Sequence, residues 1–259
     1  MATSERKRYS SRVRSEAGHL LPAAGLLGAL LVWFLITEFG SGVVTNFHPV
    51  DTAVTLVELL SRPSFYDHIW VSLYRFFIAL LLCSVIGFPV GIAVGYFTAV
   101  EQATTVLFQF LRMISPLAWF PIAIIFFGVG NGAAIFVMVM AGVWPILLNT
   151  AHGVATVEPN WLEVATSLGG DSKSTIWHVS IPAVIPEMLT GLRLAVGILW
   201  IILVPAEMLG VNTGLGYYIL DARDRFEYAE IPAVMVIIGA IGYVFDRILR
   251  ELQARYRWQ

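Results

Sequence analysis

The chain has 259 residues, 58% hydrophobic and 13% charged, whereas an ordinary soluble domain carries about 25% charged residues. That composition excludes a water-soluble enzyme. Sixteen Lys plus Arg against eighteen Asp plus Glu give a net charge of −2, so no cationic surplus exists to hold a phosphate backbone and no nucleic-acid partner is expected.

Six apolar runs of membrane length follow one another, each near the roughly 20 residues that the hydrocarbon core requires. They cover about 20–36, 69–97, 103–127, 133–151, 181–208 and 231–249. None has the alternating polarity of a barrel strand, and in lipid every backbone polar group must be paired internally, so the runs read as helices. The expected fold is an all-α integral membrane protein of about six transmembrane helices. A basic tail spans 1–19, a single membrane domain 20–250, and a short tail 251–259.

The first run follows Arg6, Lys7, Arg8, Arg12 and Arg14, a pattern like a signal peptide, but it exceeds a typical h-region and reads as an uncleaved anchor. Nine of the sixteen cations lie either in the N-tail or at the end of the last run and beyond it, where Arg247, Arg250, Arg255 and Arg257 fall. Basic residues near span ends stay in the cytoplasm, so both termini are expected there, in agreement with an even number of spans. Segment 38–68 and loop 209–230 then fall outside, and the 152–180 connection falls inside.

The second run holds Cys83, the only cysteine, which excludes an intrachain disulfide and reads as a small core residue. Gly87, Gly91 and Gly95 occupy one face at four-residue spacing, which suits a close helix–helix approach, either within one subunit or at a dimer seam. In the third run Ser115-Pro116 interrupts the helix, and irregular backbone at that depth is tolerated mainly where it lines a cavity. Asn149 in the fourth run reads as a hydrogen-bonding link between helices. The candidate charges inside or at the ends of the runs are Arg75, Arg112, Glu187, Arg193, Glu207 and Asp246, the last beside Arg247. Arg75 and Glu207 have matching depths and are expected to form a structural ion pair. Glu187 and Asp246 read as interfacial. No metal site is expected, because the five histidines lack ligand spacing.

The connection VEPNWLEVATSLGGDSKSTIWHVSIPAVIP reads as an amphipathic hairpin outside the membrane. Pro159 suits a first helical position, Gly169-Gly170 a stop, and Asp171 the cap of a second helix. Its polar face is poor in cations, which favours a protein partner over anionic lipid.

Glu163, Ala165, Gly169, Ile181 and Pro182 in that connection resemble the EAA signature of ABC importer permeases, with Val164, Val179 and Ile181 as conservative departures. The blocks HIWVSLYRFFIAL, SPLAWFPIAIIFFGVGN, VWPILLNTAHGV, GLRLAVGILWIILVPAEMLG and GLGYYILDA extend the resemblance over about 68–222. They are similar to the permeases of the nitrate/sulfonate/bicarbonate (taurine) importer group, with SPLAWFPI and VWPILLNT nearest the nitrate and bicarbonate branch. The resemblance implies a type I ABC importer permease fold in the cytoplasmic (inner) membrane. It also implies a homodimer with a second copy of the chain, two cytoplasmic P-loop ATPase subunits docked through Glu163, Val164, Ala165, Gly169 and Pro182 of hairpin 158–182, and an extracytoplasmic substrate-binding protein. The expected cargo is a small anion.

An anion pathway needs a cation to offset desolvation, which makes Arg112, Ser115, Trp119, Arg193 and Asn149 the candidate lining. Loop 209–230 is expected to lie at the outer membrane surface as a short helix, with a gate or docking role. The sequence also bears on the energy source. G-x-x-x-x-G-K-[ST] is absent; the nearest approach, Gly170-Asp171-Ser172-Lys173-Ser174, has Ser172 where Gly must precede Lys. No cofactor is therefore expected in this chain, with ATP and Mg on the partner ATPase. An ion-gradient-driven secondary anion carrier is the alternative, although no internal repeat and no carboxylate relay supports it. No nucleophile with a neighbouring base is present, so the chain is read as a non-catalytic transport subunit.

Overall fold

A computed structural model describes residues 24–157, 167, 169, 171 and 181–256. Hairpin residues Glu163, Val164 and Ala165 and the basic N-tail lie outside the described residues. The described elements are helical: α1 Ala24–Glu38, a 3-10 turn Gly42–Phe47, α2 Pro49–Ser61, α3 Pro63–Tyr96, α4 Thr98–Met113, a 3-10 turn Pro116–Trp119, α5 Phe120–Phe127, α6 Asn131–Ala155, α7 Ile181–Gly210, α8 Leu215–Asp224 and α9 Glu230–Tyr256. Of these, α3, α6, α7 and α9 are each long and apolar enough to cross a membrane.

The third apolar run is not one straight crossing. It divides into α4 and a second limb, Pro116–Phe127, bent by 91°. The cause is local. Pro116 disfavours helical geometry at the residue before it, and Ser115 accordingly has ψ 129, with Ile114 also extended. Gly128 then ends α5 at φ 71, donating its N–H to the Ile124 carbonyl at 2.8 Å. The first run is a helix shorter than the four spanning ones over its described part, Ala24–Glu38. The six expected runs therefore appear as four long helices, one bent pair and this shorter helix among the described residues.

The chain divides into two compact units. One comprises the described residues up to Ser61 together with Ala222–Ala233. Within it Trp33 Nε1 donates to the Phe47 carbonyl at 3.0 Å, and Arg225 pairs with Glu230 at 2.9 Å. Leu26, Leu27, Leu31 and Ile36 on α1 remain exposed, as suits a helix surrounded by lipid or another apolar surface.

The other unit, Arg62–Asp221 with Val234–Gln259, is built around α6, half of whose spanning segment is buried. Gly87, Gly91 and Gly95 of α3 pack onto α6 of the same chain. A Cβ at Gly91 would lie 2.6 Å from the Leu147 carbonyl oxygen, and one at Gly95 would strike the carbonyl oxygen of Ala151. The glycine stripe thus serves packing within one subunit. On another side Phe76, Cys83, Met138, Leu199, Trp200 and Leu203 form the main apolar cluster, with Trp200 edge-on to both Phe76 and Phe245.

Candidate functional site

Two polar features stand out in the larger unit, one buried and one open, the latter lined by the exposed side chains of α4. The first is a knot around Arg75 of α3 and Glu207 of α7. Arg75 Nη1 lies 2.6 Å from Glu207 Oε1, with the side chains 1% and 0% exposed. Such a pair survives burial only when its remaining donors and acceptors are also engaged, and here they are. Arg75 Nε donates to Asn131 Oδ1 at 2.8 Å, Nη1 to the Thr213 carbonyl at 2.7 Å and Nη2 to Thr213 Oγ1 at 3.1 Å. Glu207 Oε2 accepts the Gly216 N–H at 2.8 Å, and Ser72 Oγ donates to the carboxylate at 2.7 Å while accepting the Leu215 N–H at 2.8 Å.

These bonds fix the start of α8 against α3 and α7. Gly214 is required at the turn, because φ is +117 and a Cβ would lie 2.5 Å from both Arg75 Nη1 and Glu207 Cδ. His68 Nδ1 accepts the Gly214 N–H at 3.1 Å. The short helix expected in loop 209–230 is present as α8, but it does not lie free at a surface. Leu215, Tyr218 and Ile219 are buried, with Tyr218 edge-on to Phe65 and His68. The polar knot draws it onto the protein.

The second feature is a pair of cavities beside the break between α4 and α5. One, of about 520 Å³, is lined by Arg112, Pro116, Trp144, Pro145 and Asn149 with apolar side chains of α6 and α7. The other, of about 270 Å³, is lined by Glu101, Thr105, Gln109 and Arg112 of α4 and by His152 and Ala155 of α6. Arg112 and Leu148 belong to both. Among the described residues the Arg112 guanidinium has no hydrogen-bond or ion-pair partner, unlike Arg75 and Arg193.

The structure brings Arg112 and Asn149 together at the larger cavity. Ser115, exposed, and Trp119, half-buried, sit on the break itself and do not line it. Among the described residues Asn149 bonds within its own helix and not across to another as expected: its Nδ2 donates to the Pro145 carbonyl at 2.8 Å, the i−4 back-bond that a short polar side chain makes readily. Arg193 lies elsewhere, bound to Asp246 at 3.1 Å and to Gln253 at 3.2 Å beside a separate groove between α7 and α9. Asp246, read as interfacial, thus holds Arg193 and also Arg250 of its own helix. Glu187 rests its Cβ and Cγ over Gly153. Gly169 is in the left-handed region at φ +84, and Pro182 is exposed in the first turn of α7.

Sequence reasoning missed Glu101, Thr105, Gln109 and His152. The signal available was the spacing of four, four and three from Glu101 to Arg112, one face of a helix. It also missed Ser72, Asn131 and Thr213, for which no local pattern exists.

Comparison with known proteins agrees with this architecture. Residues 86–258 match the family described as binding-protein-dependent transport system inner membrane component, which carries the likeness well past residue 222. The bicarbonate transport system permease protein CmpB of Synechococcus elongatus is 37% identical over 93% of this chain and 89% of its own length. The nitrate import permease protein NrtB of Synechocystis is 31% identical over 90% of this chain and 87% of its own. In fold, a chain of the methionine ABC transporter MetNI, crystallised in inward-facing conformations, superimposes with a TM-score of 0.65 at 16% identity, covering 79% of this chain and 99% of that one. The chain therefore belongs to the binding-protein-dependent transport system inner membrane components, as a multi-pass ABC importer permease of the nitrate/sulfonate/bicarbonate group.

Proposed function

We propose that this chain is the membrane subunit of an ATP-driven importer that carries a small anion of the nitrate, bicarbonate or sulfonate class into the cytoplasm by alternating access. Two copies form the pathway with both termini cytoplasmic. P-loop ATPase subunits dock on hairpin 158–182 through Glu163, Val164, Ala165, Gly169 and Pro182, and a binding protein delivers substrate at the opposite face. The observation that carries the anion reading is Arg112, a cation without a partner among the described residues that borders two cavities at a broken helix. A cation at membrane depth is costly unless it meets water or an anion, and a permeating anion supplies the second.

The test is to purify the complex from its native membrane, reconstitute it with its binding protein and follow uptake of labelled nitrate, bicarbonate and methanesulfonate with ATP enclosed. ATP-dependent uptake of one of them supports the reading. Gradient-driven uptake by this chain alone, with no ATPase co-purifying, would show a secondary carrier instead.

A further inference from the structure

One face of α4 carries a file of exposed polar side chains, with Phe108 beside it. Glu101, Thr105, Gln109 and Arg112 share that face, which at 1.5 Å per residue is about 16 Å long. Val106, Leu107, Phe110 and Met113 on the remaining faces are exposed. The polar face lines the smaller cavity opposite His152 and Ala155. Arg112 stands at its junction with the larger cavity and Glu101 in the first turn of α4. Ala155, beside the Glu101 end, closes α6 and leads into the connection that holds hairpin 158–182. The Glu101 carboxylate, like the Arg112 guanidinium, has no partner among the described residues. An acid in a first turn is favoured by the helix dipole alone, and the Thr105 hydroxyl donates to the Glu101 carbonyl of its own helix at 2.6 Å, but neither accounts for Gln109 in register or for the cavity facing them.

We infer that this face is the release track for the anion held at Arg112, and that Glu101 is a specificity-determining group at its cytoplasmic mouth, admitting monoanions and opposing dianions and re-entry. The inference rests on the importer reading given above. At Arg112 an anion is about 16 Å from Glu101, and a carboxylate at that distance opposes a dianion about twice as strongly as a monoanion. As the anion moves along the Gln109 amide and the His152 ring, attraction fades and repulsion grows. A monoanion passes once into the cytoplasm, whereas a dianion entering from that side meets twice the repulsion before it can lodge at Arg112.

The test uses the full complex in proteoliposomes at constant ionic strength, with ATP and graded sulfate enclosed and labelled nitrate or bicarbonate outside with the binding protein. Enclosed sulfate is expected to inhibit the E101Q complex at a concentration about twofold lower than wild type, while E101D, which keeps the charge, behaves as wild type. In Q109E, which moves repulsion inward, inhibition weakens, and this variant decides the question where E101Q does not assemble. Identical sulfate inhibition in wild type and in the variants, with wild-type uptake intact, overturns the track alone. Wild-type complex that takes up no anion overturns the importer reading and the track together.

Discussion

Replacing Glu207 with Gln keeps the side-chain volume and removes the charge, which isolates what the buried knot contributes. The carboxylate uses both oxygens as acceptors, Oε1 for Arg75 and Ser72 and Oε2 for Gly216. A glutamine presents one oxygen and one NH2, so either Arg75 or the Gly216 N–H faces a donor. Arg75 remains 1% exposed, held only by Asn131 and Thr213. Removing one member of a buried pair costs about 3–5 kcal/mol, which at about 2–4 °C per kcal/mol lowers Tm by roughly 10 °C. Cys83, the only cysteine and 0% exposed, is a built-in reporter. A maleimide fluorophore reacts with it only on unfolding, so a thermal ramp of the detergent-purified chain reads Tm directly. The double variant R75M/E207L removes both charges and should regain part of the loss, but not all, because the Gly216 N–H and the Thr213 carbonyl stay without partners at about 1–3 kcal/mol each. E207Q melting within 2 °C of wild type, a margin set against the roughly 10 °C expected, refutes the reasoning. So does a double variant less stable than the single one.

Gly91→Val places a Cβ 2.6 Å from the Leu147 carbonyl oxygen and is expected to cost about 1–3 kcal/mol by overpacking, seen as a lower Tm in the same cysteine assay. Arg112→Gln is expected to raise the KM for the transported anion at least about tenfold, or about 1.4 kcal/mol, with Tm unchanged because the guanidinium has no partner to lose among the described residues. Glu163→Lys and Gly169→Asp should each abolish ATP-driven uptake while leaving membrane insertion intact, checked by uptake alongside the amount of chain in the membrane; normal uptake by either would remove the hairpin from the coupling role.

What the sequence made legible was what short-range physics decides. Apolar runs longer than a bilayer core forced helices, and Ser115-Pro116 forced a break, since proline restricts the residue before it. The bend of 91° was not legible, because the limb beyond a break is aimed by what it packs against. Arg75 and Glu207 could be paired by depth because two opposite charges in lipid have few alternatives. Asn131 and Thr213, which complete the knot, are 56 and 138 residues from Arg75 in sequence, and only the fold makes them neighbours. The same holds for α8: its apolar stretch suited a membrane surface equally well until Ser72 and Glu207 seized its first amides. The partner of Asn149 was not legible, because a back-bond to its own helix and a bond to a neighbour leave the same mark in a sequence.

The seam between α3 and α6 has a mechanical consequence. Where glycines let two backbones touch, no layer of side chains remains to act as a bearing, and the carbonyl oxygens of one helix become stops for any sliding of the other. Two rods keyed together in this way turn as one lever. The elbow after Met113 has no such key: Ile114 and Ser115 are extended there, with the Ile114 N–H turned back to the Leu111 carbonyl at 3.2 Å.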